Sequence, residues 1–266
     1  MIQVENLTKT INNQMILEDI SIDIEKGKLT SLIGPNGAGK STLLSAICRL
    51  IRFDNGEVKI DGQLMSDYKN NDLSKKISIL KQTNHTEMNI TVEQLVNFGR
   101  FPYSKGRLTK EDHDIVNDAL DLLQLQDIRN RNIKSLSGGQ RQRAYIAMTI
   151  AQDTEYILLD EPLNNLDMKH AVQIMQTLKM LAHKMNKAIV IVLHDINFAS
   201  CYSDQIVALK NGQLVKSDLK DNVIQSSVLS DLYDMDIQIE HIRNQRICLY
   251  FTSSTQIKPK EENIIL

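Results

Sequence analysis

Three short stretches of this chain carry residue types whose spacing suits phosphate chemistry. The first is Gly34-Pro35-Asn36-Gly37-Ala38-Gly39-Lys40-Ser41, followed by Thr42. Glycines let the backbone turn with positive φ and bring amides close to a ligand. Successive N–H groups at a helix N-terminus then form an anion-binding nest, to which the helix dipole adds partial positive charge. In the G-x-x-x-x-G-K-[ST] pattern, Lys40 reaches the β- and γ-phosphates of a nucleoside triphosphate and the Ser41 hydroxyl ligates Mg²⁺. The second stretch is Asp160-Glu161, adjacent carboxylates that close an apolar run. Beside a phosphate loop the pair divides the labour: Asp160 holds the Mg²⁺ hydration shell and Glu161 polarises the attacking water as general base. The third is Ser137-Gly138-Gly139-Gln140, a second turn able to bind an anion at a helix start.

Each stretch also has an ordinary reading: a glycine-rich turn, an acidic strand end before Pro162, a helix cap. The flanking elements decide. Leu29-Thr30-Ser31-Leu32-Ile33 is short, apolar and β-branched, as a buried strand is, and 41–50 places Leu43, Leu44, Ile47 and Leu50 at helical spacing. Strand, glycine loop and helix are the geometry a phosphate cradle needs. Residues 156–159 and 188–193 read as two further buried strands, and 139–151 and 168–185 as helices. Residues 2–7 and 20–24 alternate as half-buried antiparallel strands do. Gly56 to Gly62 is a strand closed by Asp-Gly, 77–80 is another ending at Lys81-Gln82, and Asn211-Gly212 joins strands at 206–209 and 214–216. From 91 to 125 the texture is helical, with a loop forced at Pro102 and Gly106; 221–240 reads as helix and 246–251 as a last strand. The β-α-β alternation predicts an α/β fold with a mostly parallel sheet, an antiparallel N-terminal β portion and a helical insertion.

Composition narrows the class. The 266 residues hold 42% hydrophobic and 24% charged side chains at formal net charge −2, which suits a soluble globular protein and lacks the basic excess of a general nucleic-acid binder. Cys48, Cys201 and Cys248 are scattered, which fits buried thiols in a reducing compartment and neither a disulfide frame nor a zinc site. The start, Met1-Ile2-Gln3-Val4-Glu5, lacks the basic and apolar regions of a signal peptide, and no apolar run approaches the ~20 residues that span a bilayer. Any membrane role therefore comes through a partner. Of the six histidines only His194 is singled out; the other five read as surface, and Met148, Met175 and Met180 as core.

Leu136-Ser137-Gly138-Gly139-Gln140, followed by Gln142-Arg143 and lying between the phosphate loop and the apolar-Asp-Glu strand, resembles the ATP-binding subunits of ABC transporters. The resemblance runs over about residues 2–240. It implies a P-loop NTPase core, with an ATP-binding domain at 1–251, a helical subdomain at 83–135 inserted between the Gln82 loop and 136–140, and a polar tail at 252–266. It implies two copies paired head to tail, each ATP lying between one phosphate loop and the partner's Ser137, Gly138, Gly139 and Gln140. Gln82 takes the place of a glutamine that touches Mg²⁺ and water and senses the membrane partner. Asn165-Leu166-Asp167 matches a loop that crosses the dimer interface, and Asp167 also suits the N-cap of the helix from Met168. His194, before Asp195, matches a histidine that contacts the γ-phosphate. The helical insertion implies a groove for a permease helix, with Phe101 and Tyr103 as loop anchors or partner contacts. One departure stands out: Ile11 occupies the place of an adenine-stacking aromatic and supplies no π-stack.

The wording of 99–107, 163–167 and 193–200 is similar to bacterial importers of ferric siderophores, with vitamin B12 and haem importers as relatives. The resemblance thus implies an ATPase at the cytoplasmic side of the membrane, peripheral, with ATP and Mg²⁺ as cofactors. Its partners would be a second copy, integral-membrane permease subunits and, indirectly, a substrate-binding protein, with no nucleic acid. Import of haem, B12 or another metal complex is the alternative within that class. A soluble ABC-type ATPase, as in iron–sulfur cluster assembly, is the alternative outside it.

Overall fold

A computed structural model describes residues 1–82 and 88–251. The chain opens with a hairpin of β1 (Ile2–Ile11) and β2 (Gln14–Ile24). Its turn is Asn12-Asn13, with φ of 50° and 62°, a left-handed pair that asparagine tolerates and that matches the twist of the flanking strands. β3 (Leu29–Ile33) is buried at every position and runs through the glycine loop into α1 (Lys40–Ile47), which stops a turn short of the helix expected over 41–50. β4 (Asn55–Ile60) pairs with β1 and is edged by β5 (Gln63–Leu64), completing an antiparallel sheet in the order β2-β1-β4-β5.

α2 (Asn70–Lys76) leads to β6 (Ile77–Leu80). The helical portion follows as α3 (Val92–Asn97), α4 (Phe101–Ser104) and α5 (Lys110–Leu122), and then α6 (Gly138–Ala151). Threonine and serine side chains start α3, α5 and α6 with reciprocal capping boxes, Thr91 with Gln94, Thr109 with Asp112 and Ser137 with Gln140. Arg100 Nε donates to Asp112 Oδ1 at 2.8 Å in a buried ion pair and a second guanidinium nitrogen donates to the Ala151 carbonyl, so the start of α5 is tied to the end of α6. Pro102 does not force a loop as expected. It sits in the first turn of α4, where no backbone N–H is needed, and the chain turns later, at Lys105 and Gly106, both at positive φ.

β7 (Tyr156–Leu159), α7 (Met168–Met185), β8 (Ala188–Val192), α8 (Ile196–Tyr202), β9 (Gln205–Lys210) and β10 (Gln213–Leu219) complete the main sheet. Its order is β10-β9-β3-β8-β7-β6, parallel except for the β9–β10 hairpin. This is the mostly parallel sheet with an antiparallel N-terminal portion that the alternation predicts. The short α9 (Lys220–Val223) and α10 (Ser226–Tyr233) follow. The helix expected over 221–240 ends at Tyr233. Residues 238–240 belong instead to β11 (Gln238–Ile242), which pairs with β12 (Gln245–Leu249) about a turn with Arg243 and Asn244 at positive φ. β12 is the strand expected over 246–251, starting one residue earlier and ending at Leu249, and the tail at 252–266 lies outside the described residues.

Two cores lie on opposite faces of the main sheet. Leu29, Ile33, Ile157, Leu159, Ile189 and Ile191 point into one, together with the helical portion through Val92, Val96, Val116 and Leu120. Leu32, Leu158, Val190 and Val192 point into the other, with α1 and the antiparallel sheet. The period-2 alternation of a strand makes this division. Because β3, β8, β7 and β6 are neighbours, the loops leaving their C-terminal ends converge, as ligand-binding loops do in open parallel sheets.

Candidate functional site

The loop after β3 is built around two glycines that no other residue can replace. Gly34 has φ of 138°, and a Cβ there would lie 1.9 Å from the Leu209 carbonyl oxygen. Gly39 has φ of 97°, and its Cβ would meet Leu17 and the Ile16 carbonyl at 2.7 and 2.8 Å. The Gly34 N–H donates to the Tyr233 hydroxyl at 3.1 Å. Lys40 is 5% exposed and folds back over the loop, donating to the carbonyls of Gly34 (2.7 Å) and Pro35 (2.8 Å). Burial pulls the Lys40 pKa down, while the charges of Glu161 and Asp160 pull it back up. The N-cap of α1 is Gly39, which offers no side-chain cap, so the first-turn amides face the cavity without one.

The loop after β7 brings the two carboxylates to this cradle. Ser41 Oγ donates to Asp160 Oδ1 at 2.9 Å. Burial raises the Asp160 carboxyl above its ordinary value and the charge of Glu161 adds to the rise; the Ser41 hydrogen bond and Lys40 offset part of it. Glu161 sits at φ 51°, a left-handed conformation that a side chain adopts only where surroundings hold it. Gln82 Nε2, from the loop after β6, donates to Glu161 Oε2 at 2.8 Å, and Asn164 Nδ2 donates to the same oxygen at 2.7 Å. His194 Nε2, from the loop after β8, lies 2.7 Å from Oε1. A cavity of about 570 Å³ is lined by Asn36 to Thr42 together with Gln82, Glu161, His194 and Ile16.

Gly34 to Thr42, Gln82, Asp160, Glu161 and His194 are thus brought together from four neighbouring strand ends. Ile11 is not. It ends β1 opposite Gln14, 41% exposed, and the apolar residue lining the cavity is Ile16 of β2. Sequence reasoning missed both Ile16 and Asn164. Ile16 approaches because Gly39 and Gly212 lack a Cβ where its carbonyl passes, at 2.8 and 2.6 Å from where one would stand. Asn164 had one local signal, its place three residues after Glu161 in a tight turn.

The turn at 137–140 does not line this cavity. Ser137 Oγ accepts from the Gln140 N–H at 3.3 Å and Gln140 Oε1 accepts from the Ser137 N–H at 3.2 Å, so the turn is closed by its own side chains. Gly138 and Gly139 pack against Asn165 and Leu166, where a Cβ would meet the nearest atoms at 3.4 and 3.1 Å. Asp167 caps α7 as expected, accepting from the His170 N–H at 2.9 Å, and its carboxylate also faces His170 Nδ1 at 2.8 Å. That backbone hydrogen bond from His170, and then its ring, hold the Asp167 carboxyl below the ordinary range. His170 keeps 29% of its side chain exposed, a surface residue as expected. In the helical portion the Arg100 guanidinium lies over the Tyr103 ring, 4.1 Å from its centre, and Tyr103 and Phe101 are both exposed, by 37% and 58%.

A family model described as ABC transporter matches residues 17–164. The chain is 57% identical over 252 residues to a petrobactin import ATP-binding protein of Bacillus subtilis (strain 168), covering 95% of this chain and all of that one. It is 48% identical over 239 residues to a petrobactin import ATP-binding protein of Bacillus anthracis, covering 90% and 96%. Among solved structures it superposes with TM-score 0.75 and 31% identity on a dimeric ATP-binding cassette in a post-hydrolysis state bound to ADP and Pi, over 83% of this chain and 99% of that one. Among the described residues no helix is long and apolar enough to cross a membrane.

Proposed function

The chain belongs to the ABC transporter family, and on that premise we propose that it is the ATP-hydrolysing motor subunit of an importer whose cargo is a ferric siderophore of the petrobactin kind. The observation that carries the reading is the Glu161 carboxylate, held at the mouth of the phosphate loop between Gln82 and His194. The loop amides and Lys40 bind the phosphates. Lys40 already donates to two loop carbonyls, so it is aimed by the protein before a nucleotide arrives. Glu161 draws a proton from the attacking water, and His194 contacts the γ-phosphate.

Ser41 and Asp160, with Gln82, would hold Mg²⁺. Two features favour a cation there: a hydroxyl and a carboxylate 2.9 Å apart, and the burial and neighbouring Glu161 charge that together raise the Asp160 carboxyl above its ordinary value. Among the described residues no three His, Cys, Asp or Glu side chains gather as a metal cluster, so phosphate oxygens and water would complete the shell. When bound, the ion neutralises charge developing on the transferred phosphoryl group.

The rest of the assembly follows the same reading. Residues 1–251 form one cassette, with 83–135 as its helical subdomain. Two copies pair so that Ser137, Gly138, Gly139 and Gln140 of one close on the ATP of the other, with Asp167 on the crossing loop. Closure drives permease subunits at the cytoplasmic side of the membrane, and a substrate-binding protein delivers the cargo. The uncapped amides of α1 and the separate, self-capped turn of α6 support this division between two copies.

The test replaces Glu161 with Gln. The variant is expected to bind ATP at near wild-type affinity, to lose turnover by ~10³-fold or more, and to accumulate as an ATP-bound dimer in size-exclusion chromatography. Near-normal turnover sinks the assignment of the base. Cells carrying only this variant should also fail to take up labelled ferric petrobactin; loss of haem or vitamin B12 uptake instead would move the cargo to that alternative.

A further inference from the structure

The loop between the catalytic carboxylate and α7 contains a residue that the reading above leaves without a task. Asn164 Nδ2 donates to Glu161 Oε2 at 2.7 Å, the oxygen that also accepts from Gln82 Nε2 at 2.8 Å. An ionised carboxylate only accepts, so both amides must present their N–H₂ groups to it. The two oxygens of Glu161 are therefore not equivalent. Oε2 is held by two amide donors, whereas among the described residues Oε1 meets the His194 ring, and the Glu161 side chain lines the nucleotide cavity.

Asn164 is itself fixed from behind. Its N–H donates to the Glu161 carbonyl at 3.3 Å, Leu166 donates to the Leu163 carbonyl at 3.3 Å, and Asn165 turns the chain at φ 64°. Gln142 Nε2 of α6 donates to the Pro162 carbonyl at 3.1 Å. Gly139 lets the Asn165 carbonyl approach to 3.1 Å of where a Cβ would be. The loop is thus braced on the first turns of α6 on one side and on the carboxylate on the other.

We propose that Asn164 is a positioning residue that, with Gln82, anchors Oε2 of Glu161 so that Oε1 is the oxygen that takes the proton from the attacking water. This rests on Glu161 being the general base. In the step, a water O–H bond breaks and its proton goes to Oε1. The water oxygen forms the new bond to the γ-phosphorus, and the bond from that phosphorus to the bridging oxygen breaks with its electron pair leaving on ADP. The proton on Oε1 is later returned to solvent. Without the anchor the carboxylate rotates about its terminal torsion and offers Oε1 in the productive direction only part of the time. The loss falls on the chemical step and not on nucleotide binding.

The test measures steady-state ATP hydrolysis and binding of a fluorescent ATP analogue by the full chain carrying Asn164→Ala, Asn164→Asp or Asn164→Gln. A hydrogen bond to a charged group of this strength corresponds to a fall in kcat of roughly ten-fold for Asn164→Ala, with KM and analogue affinity within about two-fold of wild type. Asn164→Asp keeps the size but replaces a donor with a second carboxylate, so it should fall below Asn164→Ala. Asn164→Gln keeps the donor and should recover part of the loss. A purely structural role orders them the other way, with the isosteric Asp nearest to wild type, and that order overturns the proposal. So does an unchanged kcat in Asn164→Ala. Glu161→Gln in the same assay separates the two ideas. If it still turns over, the base is elsewhere and both fall; if it is silent while the Asn164 variants are normal, only the anchor falls.

Discussion

The phosphate loop and the turn at 137–140 are both glycine-bearing helix starts, and they are made in opposite ways. The first is shaped from outside itself. Leu209, Leu17 and Ile16 press against Gly34 and Gly39 where any side chain would collide, and its amides have no side-chain cap. The second is shaped from within, by the reciprocal bonds of Ser137 and Gln140, and its glycines have no positive φ and only close or ordinary neighbours. A loop that must keep several N–H groups open for a ligand cannot cap itself, so the surrounding fold has to hold it. The turn at 137–140, which lies apart from that cavity, carries its own cap. Burial follows the same division: Lys40 is buried, while Ser137 is exposed.

This contrast is most exposed by a matched pair of substitutions. Gly34→Ala places a Cβ 1.9 Å from a backbone oxygen at a forbidden φ, and should abolish ATP binding and lower the melting temperature severely, by several kcal/mol of stability. Gly138→Ala meets Asn165 at an ordinary 3.4 Å and should leave folding and ATP binding by the single chain within about 0.5 kcal/mol of wild type. Equal damage from the two, by calorimetry and nucleotide titration, would break the distinction.

A pH series sharpens it next. The Asp160 carboxyl is raised in the folded, nucleotide-free protein, so the folded state binds a proton more readily than the unfolded one. Its contribution to stability is full below the ordinary carboxylate value and is lost as pH rises through the raised one. Asp160→Asn should therefore raise the melting temperature of the nucleotide-free protein at neutral pH, make little difference at acid pH, and abolish Mg²⁺-dependent turnover. A lower melting temperature at neutral pH would show that the site is not strained by its carboxylates. The smallest effect lies at the base. Ile16→Ala, which strips an apolar wall of the cavity, should weaken ATP binding by about 1 kcal/mol, and Ile11→Ala by less than half of that, since Ile11 is exposed beyond the cavity. The reverse order in a nucleotide titration would return the base to Ile11.

The parts of the site that could be read from the chain are those encoded in one unbroken segment. Strand, glycine loop and helix at 29–47, and apolar strand followed by Asp160-Glu161, each announce themselves because periodicity and turn chemistry are local. The assembly of Gln82, Glu161 and His194 was legible only through motif order, since 79 residues separate Gln82 from Glu161. What escaped was set by contacts distant in sequence. Ile16 reaches the cavity because glycines on two other elements leave room for its backbone. The helix expected over 221–240 overruns into the start of β11 because its apolar residues, Ile237 and Ile239, suit either period; the pairing of β11 with β12 and the docking of β12 on α8 through Asn197 and Ser200 decide the matter. Pro102 suggests a loop from sequence because a proline's two roles, helix breaker and first-turn residue, differ only in what precedes it.

The main sheet lends its strands to two cores at once. Leu29 and Ile33 face one side and Leu32 the other, and β7 and β8 alternate in the same way. A helical subdomain with a core of its own could come apart while the rest stayed folded. Here the insertion draws its apolar packing from the same residues that order β3, β7 and β8, so loosening it unseats the strands whose ends carry the carboxylates and the histidine. The helical portion and the central strands thus share one apolar cluster, so a change in the packing of α3 or α5 is felt at β3, β7 and β8.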